Sequence, residues 1–220
     1  MRSRIAVLAS GGGTNLGALL AHLDALGEQR HADVVLVVSD RADSRVLARA
    51  RERGIEAAVL DHTDADALVE RLDGARADLV VLAGYLRLVP HAVVARFRGR
   101  MLNIHPALLP SFGGPGMYGI RIHRAVLDAG ARVTGVTVHF VDEQYDRGPI
   151  IAQWPVPVLE DDTPERLAAR VLRVEHRLLP RVVDAVAAGR LSLGDDGRVR
   201  GSLIRGDDAA FELAHASTTS

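Results

Sequence analysis

The sequence predicts an α/β protein: a mainly parallel, twisted sheet with helices on both faces and an antiparallel C-terminal part. Three observations carry that prediction. Over residues 4–100, short continuous apolar runs alternate with stretches of helical apolar spacing, the pattern of strand–helix–strand units in a sheet buried on both faces. A glycine-rich turn, Ser10-Gly11-Gly12-Gly13, follows the first apolar run directly. Beyond Pro106 the texture changes to a Gly- and Pro-rich stretch. Two strand-like segments then follow, 132–141 and 150–158, with only a loop, 142–149, between them.

Residues 4–10 (RIAVLAS) form an apolar run that ends at glycines and read as a buried strand. Residues 14–27 carry apolar side chains at helical spacing, 32–40 (ADVVLVVSD) form a second buried strand, and 44–54 a second helix closed by Gly54. Residues 57–60, a helix near 64–73 and the run 77–85 (ADLVVLAGY) continue the alternation. The helix 90–97 opens on Pro90, tolerated in a first turn because the N–H it lacks has no partner there. Residues 107–123 are expected to form one long loop, and loops of that length serve as functional lids when ordered. Thr163 caps a helix with Pro164 in its first position; the helix runs to about Ala188, with a kink expected at Pro180. Residues 190–204 read as a hairpin around Asp-Gly, and the end of the chain as a flexible tail. No repeat or interdomain linker interrupts the series, so the fold class is Rossmann-like.

Composition removes several function classes. With 220 residues, 48% of them hydrophobic, the chain has the composition of a globular domain with a real core. Formal net charge is −1, which supplies no general attraction to nucleic acid or acidic membranes. No apolar run approaches the ~20 residues of a membrane span. No signal-peptide pattern precedes the first strand, so a cytoplasmic protein is expected. There is no cysteine, hence no thiolate nucleophile and no Cys-based zinc site. There is also no lysine: all 27 basic residues are arginine. That excludes a Schiff-base lysine and a Walker A loop.

Residues 10–16 (SGGGTNL) lie between the first strand and first helix, where backbone N–H groups and a helix N-terminus hold phosphates in doubly wound sheets. Thr14 and Asn15 add side-chain donors. A dinucleotide fingerprint is the rival reading. Gly11 and Gly13 fit it and Asp40 stands where a ribose-binding acid would, but the next required glycine is Leu16.

Residues 101–110 read MLNIHPALLP. On a strand, Met101, Asn103 and His105 share one face while Leu102 and Ile104 take the other. An amide able to donate to an oxyanion and an imidazole thus point the same way at a strand end, ahead of a loop suited to covering a substrate. A carboxylate partner would fix the imidazole tautomer and favour its charged form. Asp142, Glu143 and Asp146 in the loop 142–149 are the candidates, and residue spacing does not choose among them.

The segments SGGGTNL (10–16), AGYLRLV (83–89), LNIHPALLPSF (102–112), GVTVHFVDEQYDRGPII (135–151) and RVLRVEH (170–176), in that order, closely resemble the phosphoribosylglycinamide formyltransferase family of the formyltransferase superfamily. The likeness runs over residues 3–205. It implies transfer of a formyl group from 10-formyltetrahydrofolate, as co-substrate, to the amine of 5'-phosphoribosylglycinamide in purine synthesis. Asn103, His105 and Asp146 fall on the family's catalytic positions. Gly13, Thr14 and Asn15 fall on its phosphate loop, and Glu175 on a residue that contacts the ribonucleotide. Leu86, Arg87, Leu88 and Val89 fall on the folate-pocket segment, joined by Asn103 and by Asp142, Glu143 and Asp146 of the 142–146 loop. His123 aligns with a family histidine.

The resemblance further implies one domain over 1–205, with a phosphate-binding half 1–100, a catalytic and folate-binding half 101–205, and a flexible tail 206–220. It implies small-molecule substrates, no metal, no nucleic acid or membrane partner, and a monomer or homodimer. Many members have a shorter loop than 111–123. Glu175 lies beside Val171, Val174 and Leu178 on one helix face; its alternative role is a structural ion pair with a nearby arginine. Methionyl-tRNA formyltransferase and formyltetrahydrofolate hydrolase share the catalytic motif but usually carry an extra domain. A nicotinamide-dependent oxidoreductase would leave Asn103, His105 and Asp146 without a role.

Overall fold

The computed structural model describes residues 1–203, and the expected 206–220 tail lies outside them. The elements are β1 (Ser3–Leu8), α1 (Thr14–Leu26), β2 (Ala32–Ser39), α2 (Arg45–Glu52), β3 (Glu56–Val59), α3 (Ala65–Gly74), β4 (Leu79–Leu82), α4 (His91–Arg96) and β5 (Met101–His105). Then come α5 (Ile120–Asp128), β6 (Val133–Phe140), β7 (Ile150–Pro157), α6 (Pro164–Ala187), β8 (Leu191–Leu193) and β9 (Val199–Gly201). A short 3₁₀ turn, Gly27–Gln29, follows α1.

Seven strands form one sheet in the order β3-β2-β1-β4-β5-β6-β7. β1 to β5 run parallel, and β6 and β7 are antiparallel additions at one edge. The chain moves outward from β1 through β2 to β3, then crosses back to β4. The carboxyl ends of β1 and β4 therefore flank the point where strand order reverses, the usual crevice for a ligand. The alternation read from sequence sorts side chains between two cores. Ile5 and Val7 pack with Leu16, Leu19, Val46, Val171 and Leu179 under α1, α2 and α6. Ala6 and Leu8 pack on the opposite face with Leu68, Leu72, Val93 and Phe97 of the α3–α4 layer.

Thr163 does cap α6, its hydroxyl accepting from the Arg166 N–H at 3.3 Å, with Pro164 in the first turn. The helix continues through Pro180, where a kink was expected. β8 and β9 pair as the hairpin expected around Asp-Gly.

Two readings change. The loop expected over 107–123 ends early, because α5 starts at Ile120; Ile122 and Val126, one turn apart, are fully buried and draw it into the core. The run 77–85 is strand only over Leu79–Leu82. Ala83 stays buried although the backbone has left the sheet, so apolar character outlasts the strand. Among the described residues no helix is long and apolar enough to cross a membrane.

Candidate active site

The site gathers at the carboxyl ends of β1, β4 and β5. A cavity of about 520 Å³ opens there, within the size range of small-molecule sites. Its walls come from residues 84–89, the end of β5, the loop 114–120, the loop 142–146 and the inner face of α6. The Gly/Pro stretch thus serves as wall, with Pro115, Met117 and Tyr118 on the cavity.

β5 behaves as its alternation requires. Leu102 and Ile104 enter one core, Met101 the other, and Asn103 and His105 face the cavity. His105 is 4% exposed. Its Nε2 lies 2.9 Å from the Phe112 carbonyl oxygen, an acceptor only, so Nε2 carries hydrogen. Its Nδ1 is 3.5 Å from Asp146 Oδ1. Nδ1 is therefore the atom that gains or loses the proton. Of the three candidate carboxylates, Asp146 is the one brought to His105. It sits at a positive φ of 55°, and its Oδ2 accepts from the Gly114 N–H at 2.9 Å.

Burial pulls the His105 pKa below its ordinary value, and His139 adds to that; Asp146 and the Phe112 carbonyl oppose the shift without cancelling it. The sequence expectation was a carboxylate that keeps His105 charged. In this cleft desolvation outweighs the carboxylate, so Asp146 limits the fall instead of producing a net rise. Asp146 itself is pushed up by burial, but His139, His105 and the Gly114 N–H together hold its carboxyl below the usual range.

Sequence reasoning missed His139. It pairs across the antiparallel ladder with Asn103, and strand register is not visible in the sequence. Its Nδ1 donates to the Phe140 carbonyl at 2.8 Å, so Nε2 is left to accept from Asn103 Nδ2 at 3.0 Å. That contact fixes which end of the Asn103 amide is the donor. A second, longer contact runs from Asn103 Nδ2 to Asp146 Oδ1 at 3.4 Å. The available signal was polar residues at i and i+2, Thr137 and His139, inside an otherwise apolar strand. His123 is also buried at the cavity. Its pKa is lowered to about 4 by burial and then by His105, and its Nδ1 has no partner.

At the far end of the cavity Asn15 Nδ2 donates to Glu175 Oε2 at 2.6 Å. Glu175 therefore pairs with Asn15 beside the glycine loop, and no arginine among the described residues forms a salt bridge with it. Burial raises its pKa, opposed by the Asn15 hydrogen bond. Asn15 Oδ1 is buried with no partner among the described residues, and the bond to Glu175 uses one of the two hydrogens on its amide nitrogen. Of Gly13, Thr14 and Asn15, Asn15 alone lines this cavity. Gly13 ends the loop in the left-handed region at φ 69°, and helix α1 begins at Thr14 with no side-chain cap and no acid in its first turn.

Leu86, Arg87, Leu88 and Val89 all line the cavity. The Leu86 N–H donates to Ser10 Oγ at 3.0 Å, which ties this segment to the glycine loop. Arg87 is held by Asp40 at 3.1 Å, so the acid just after β2 anchors the 86–89 segment. Asp142 and Asp146 reach the cavity wall. Glu143 does not: it turns outward to His91 at 3.2 Å. Glu143 is thus the one expected folate residue away from the wall, displaced by a partner on α4 that the loop sequence could not reveal. No group of three or more His, Asp or Glu side chains suited to holding a metal occurs among the described residues.

A parallel sheet whose switch-point crevice joins a glycine loop to an Asn–His–Asp cluster defines a group-transfer enzyme. The chain belongs to the formyl transferase family, whose model matches residues 3–183. It is 45% identical over 204 residues to a chloroplastic phosphoribosylglycinamide formyltransferase of Arabidopsis thaliana, covering 89% of this chain and 69% of that protein. It is 38% identical over 200 residues to the Escherichia coli phosphoribosylglycinamide formyltransferase, covering 87% and 91%. The fold matches the crystal structure of glycinamide ribonucleotide transformylase 1 from Symbiobacterium toebii with a TM-score of 0.83 at 44% identity, covering 91% and 94%.

Proposed function

We propose that this formyltransferase moves the formyl group of 10-formyltetrahydrofolate to the amine of 5'-phosphoribosylglycinamide, a step of purine synthesis, using Asn103, His105 and Asp146. The observation that carries the reading is the placement of these three side chains on one cavity that also reaches the Asn15–Glu175 pair. One end suits an anionic ribonucleotide, the other an apolar ring system against Leu86, Leu88 and Val89. In this reading both substrates are small molecules that meet at Asn103.

The neutral glycinamide amine attacks the formyl carbon, and the carbonyl electron pair moves to oxygen. Asn103 Nδ2 is the donor aimed at that oxygen, its direction set by His139. The 3.4 Å contact to Asp146 is the weaker of its two and is the one exchanged for the oxyanion. One such donor is worth roughly 3–4 kcal/mol to the transition state. Collapse of the intermediate re-forms the carbonyl and breaks the bond to the folate nitrogen. The amine loses one proton and the folate nitrogen gains one; His105 Nδ1, beside Asp146, is placed to carry it. Charge on Nδ1 is favoured as negative charge grows on the neighbouring oxygen, so a pKa held low by burial rises as the intermediate forms.

The test is formyl transfer by the purified protein with the ribonucleotide, and with the dephosphorylated riboside, against a 10-formylfolate. Release of deformylated folate should depend on the amine substrate and strongly favour the ribonucleotide. Equal kcat/KM for the two would remove the phosphate-loop assignment, and no transfer to either would remove the reaction.

A further inference from the structure

Arg45 is the first residue of α2, an electrostatically unfavourable position for a cation. A cation at a helix N-terminus opposes the helix dipole. The N-terminus of α1 stands next to it, with no side-chain cap and no acidic residue in its first turn. Arg45 is exposed, and its side chain makes no hydrogen bond or ion pair with any described residue. The nearby Asp43 is taken by Arg41, at 3.1 and 3.3 Å. Two helix N-termini and a guanidinium therefore meet, and among the described residues no carboxylate is paired with that guanidinium. Local conflict of this kind is expected at functional sites.

The surrounding contacts say what the conflict is for. The glycine loop is held from behind by the start of α2. The Gly11 carbonyl accepts from Ser44 Oγ at 2.8 Å and from the Val46 N–H at 3.2 Å, and the Gly12 carbonyl accepts from Arg49 Nε at 2.9 Å. In a trans peptide the N–H points opposite to the C=O, so the N–H groups of Gly12 and Gly13 turn away from α2, toward the space above α1. Arg45 Nη2 is 3.8 Å from where a side-chain carbon on Gly12 would be, which places the guanidinium beside the loop.

We propose that Arg45 is a phosphate-binding and specificity-determining residue. Its guanidinium closes on the substrate phosphate from the side, while the loop N–H groups and the α1 N-terminus hold it from below. This rests on the phosphate-loop reading above and adds a formal positive charge to it. A planar fork of N–H donors suits phosphate better than a point charge, and charge-assisted contacts of this type are among the stronger ones.

Steady-state transfer should be measured on the wild type, Arg45→Met and Arg45→Lys with the ribonucleotide and the riboside, with inorganic phosphate as an inhibitor. For Arg45→Met we expect about a tenfold higher KM for the ribonucleotide, a smaller change in kcat, and a similar fall in the preference for the phosphorylated substrate. Inhibition by phosphate should weaken in parallel, and Arg45→Lys should recover part of each loss. An unchanged melting temperature for Arg45→Met would tie the loss to binding. If the wild type prefers the ribonucleotide and Arg45→Met prefers it equally, with unchanged phosphate inhibition, Arg45 has no such role and the loop reading stands. If the wild type shows no preference, both fall together.

Discussion

At the carboxyl end of β1 the proposed recognition groups are peptide N–H groups, fixed by carbonyls tied down to α2 and by a glycine at φ 69°. At the carboxyl end of β5 they are side chains, Asn103, His105, His139 and Asp146, each within 4 Å of another and competing for the same hydrogens. The first region is specified by backbone shape and carries little that titrates. The second is specified by donor and acceptor assignments, and its charges move with every substitution. Damage should therefore appear as altered affinity in the first region and as altered chemistry in the second.

The largest effect should come from the side-chain end. Asn103→Ala removes the proposed oxyanion donor and frees His139 Nε2. It should lower kcat by about 10²–10³-fold while the ribonucleotide KM stays within about threefold. Steady-state kinetics checks this, and a loss confined to KM would break the division between the two regions.

Next comes the backbone end. A Cβ added at Gly13 would sit 2.7 Å from Val46 Cγ2 and 3.0 Å from its Cα, at a φ that disfavours any side chain. Gly13→Ala should cost roughly 1–3 kcal/mol of stability and raise the ribonucleotide KM, because the loop must move off α2 to relieve the contact. Denaturation curves and KM values test the two parts separately.

How far each region was legible in the sequence follows from the same contrast. The glycine loop, its strand and its helix are local in the chain, and punctuation by glycine reveals them. Asn103 and His105 are two apart on one strand, and their shared face follows from alternation. What joins them to Asp146 and His139 is sheet register and the path of a loop, neither of which is local. The choice of Asp146 over Asp142 and Glu143 needed family resemblance in the sequence and geometry in the structure. Asp146 does raise the His105 pKa as expected, but the net shift is downward because burial of the imidazole ring, a property of the packed cleft, outweighs it. α5 was hidden by the Gly/Pro run before it, although Ile122 and Val126 already had helical spacing.

The smallest effect is on stability against pH. His123 is held neutral in the folded protein, its pKa lowered from 6.5 to about 4, whereas it titrates normally when unfolded. Its contribution is present in full above pH 6.5 and is lost as pH falls toward 4. Asp146 acts in the same direction but only below the ordinary carboxylate value of 3.8. Urea unfolding between pH 7 and 4.5 should show declining stability that flattens in His123→Leu; an unchanged slope would assign the decline to other groups.

The account rests most heavily on Asp146 acting through His105, and kcat/KM against pH for Asp146→Asn, with Asp142→Asn beside it, tests that directly. Loss of the carboxylate removes the main opposition to burial, so the His105 pKa should fall further and the limb reporting it should move to lower pH. Turnover near neutral pH should drop by about 10²–10⁴-fold, with ribonucleotide affinity largely kept. Asp142→Asn removes a charge from the same loop and should leave both limb and turnover close to wild type. Near-wild-type turnover in Asp146→Asn, a limb that does not move, or a severe loss in Asp142→Asn instead, would contradict the assignment.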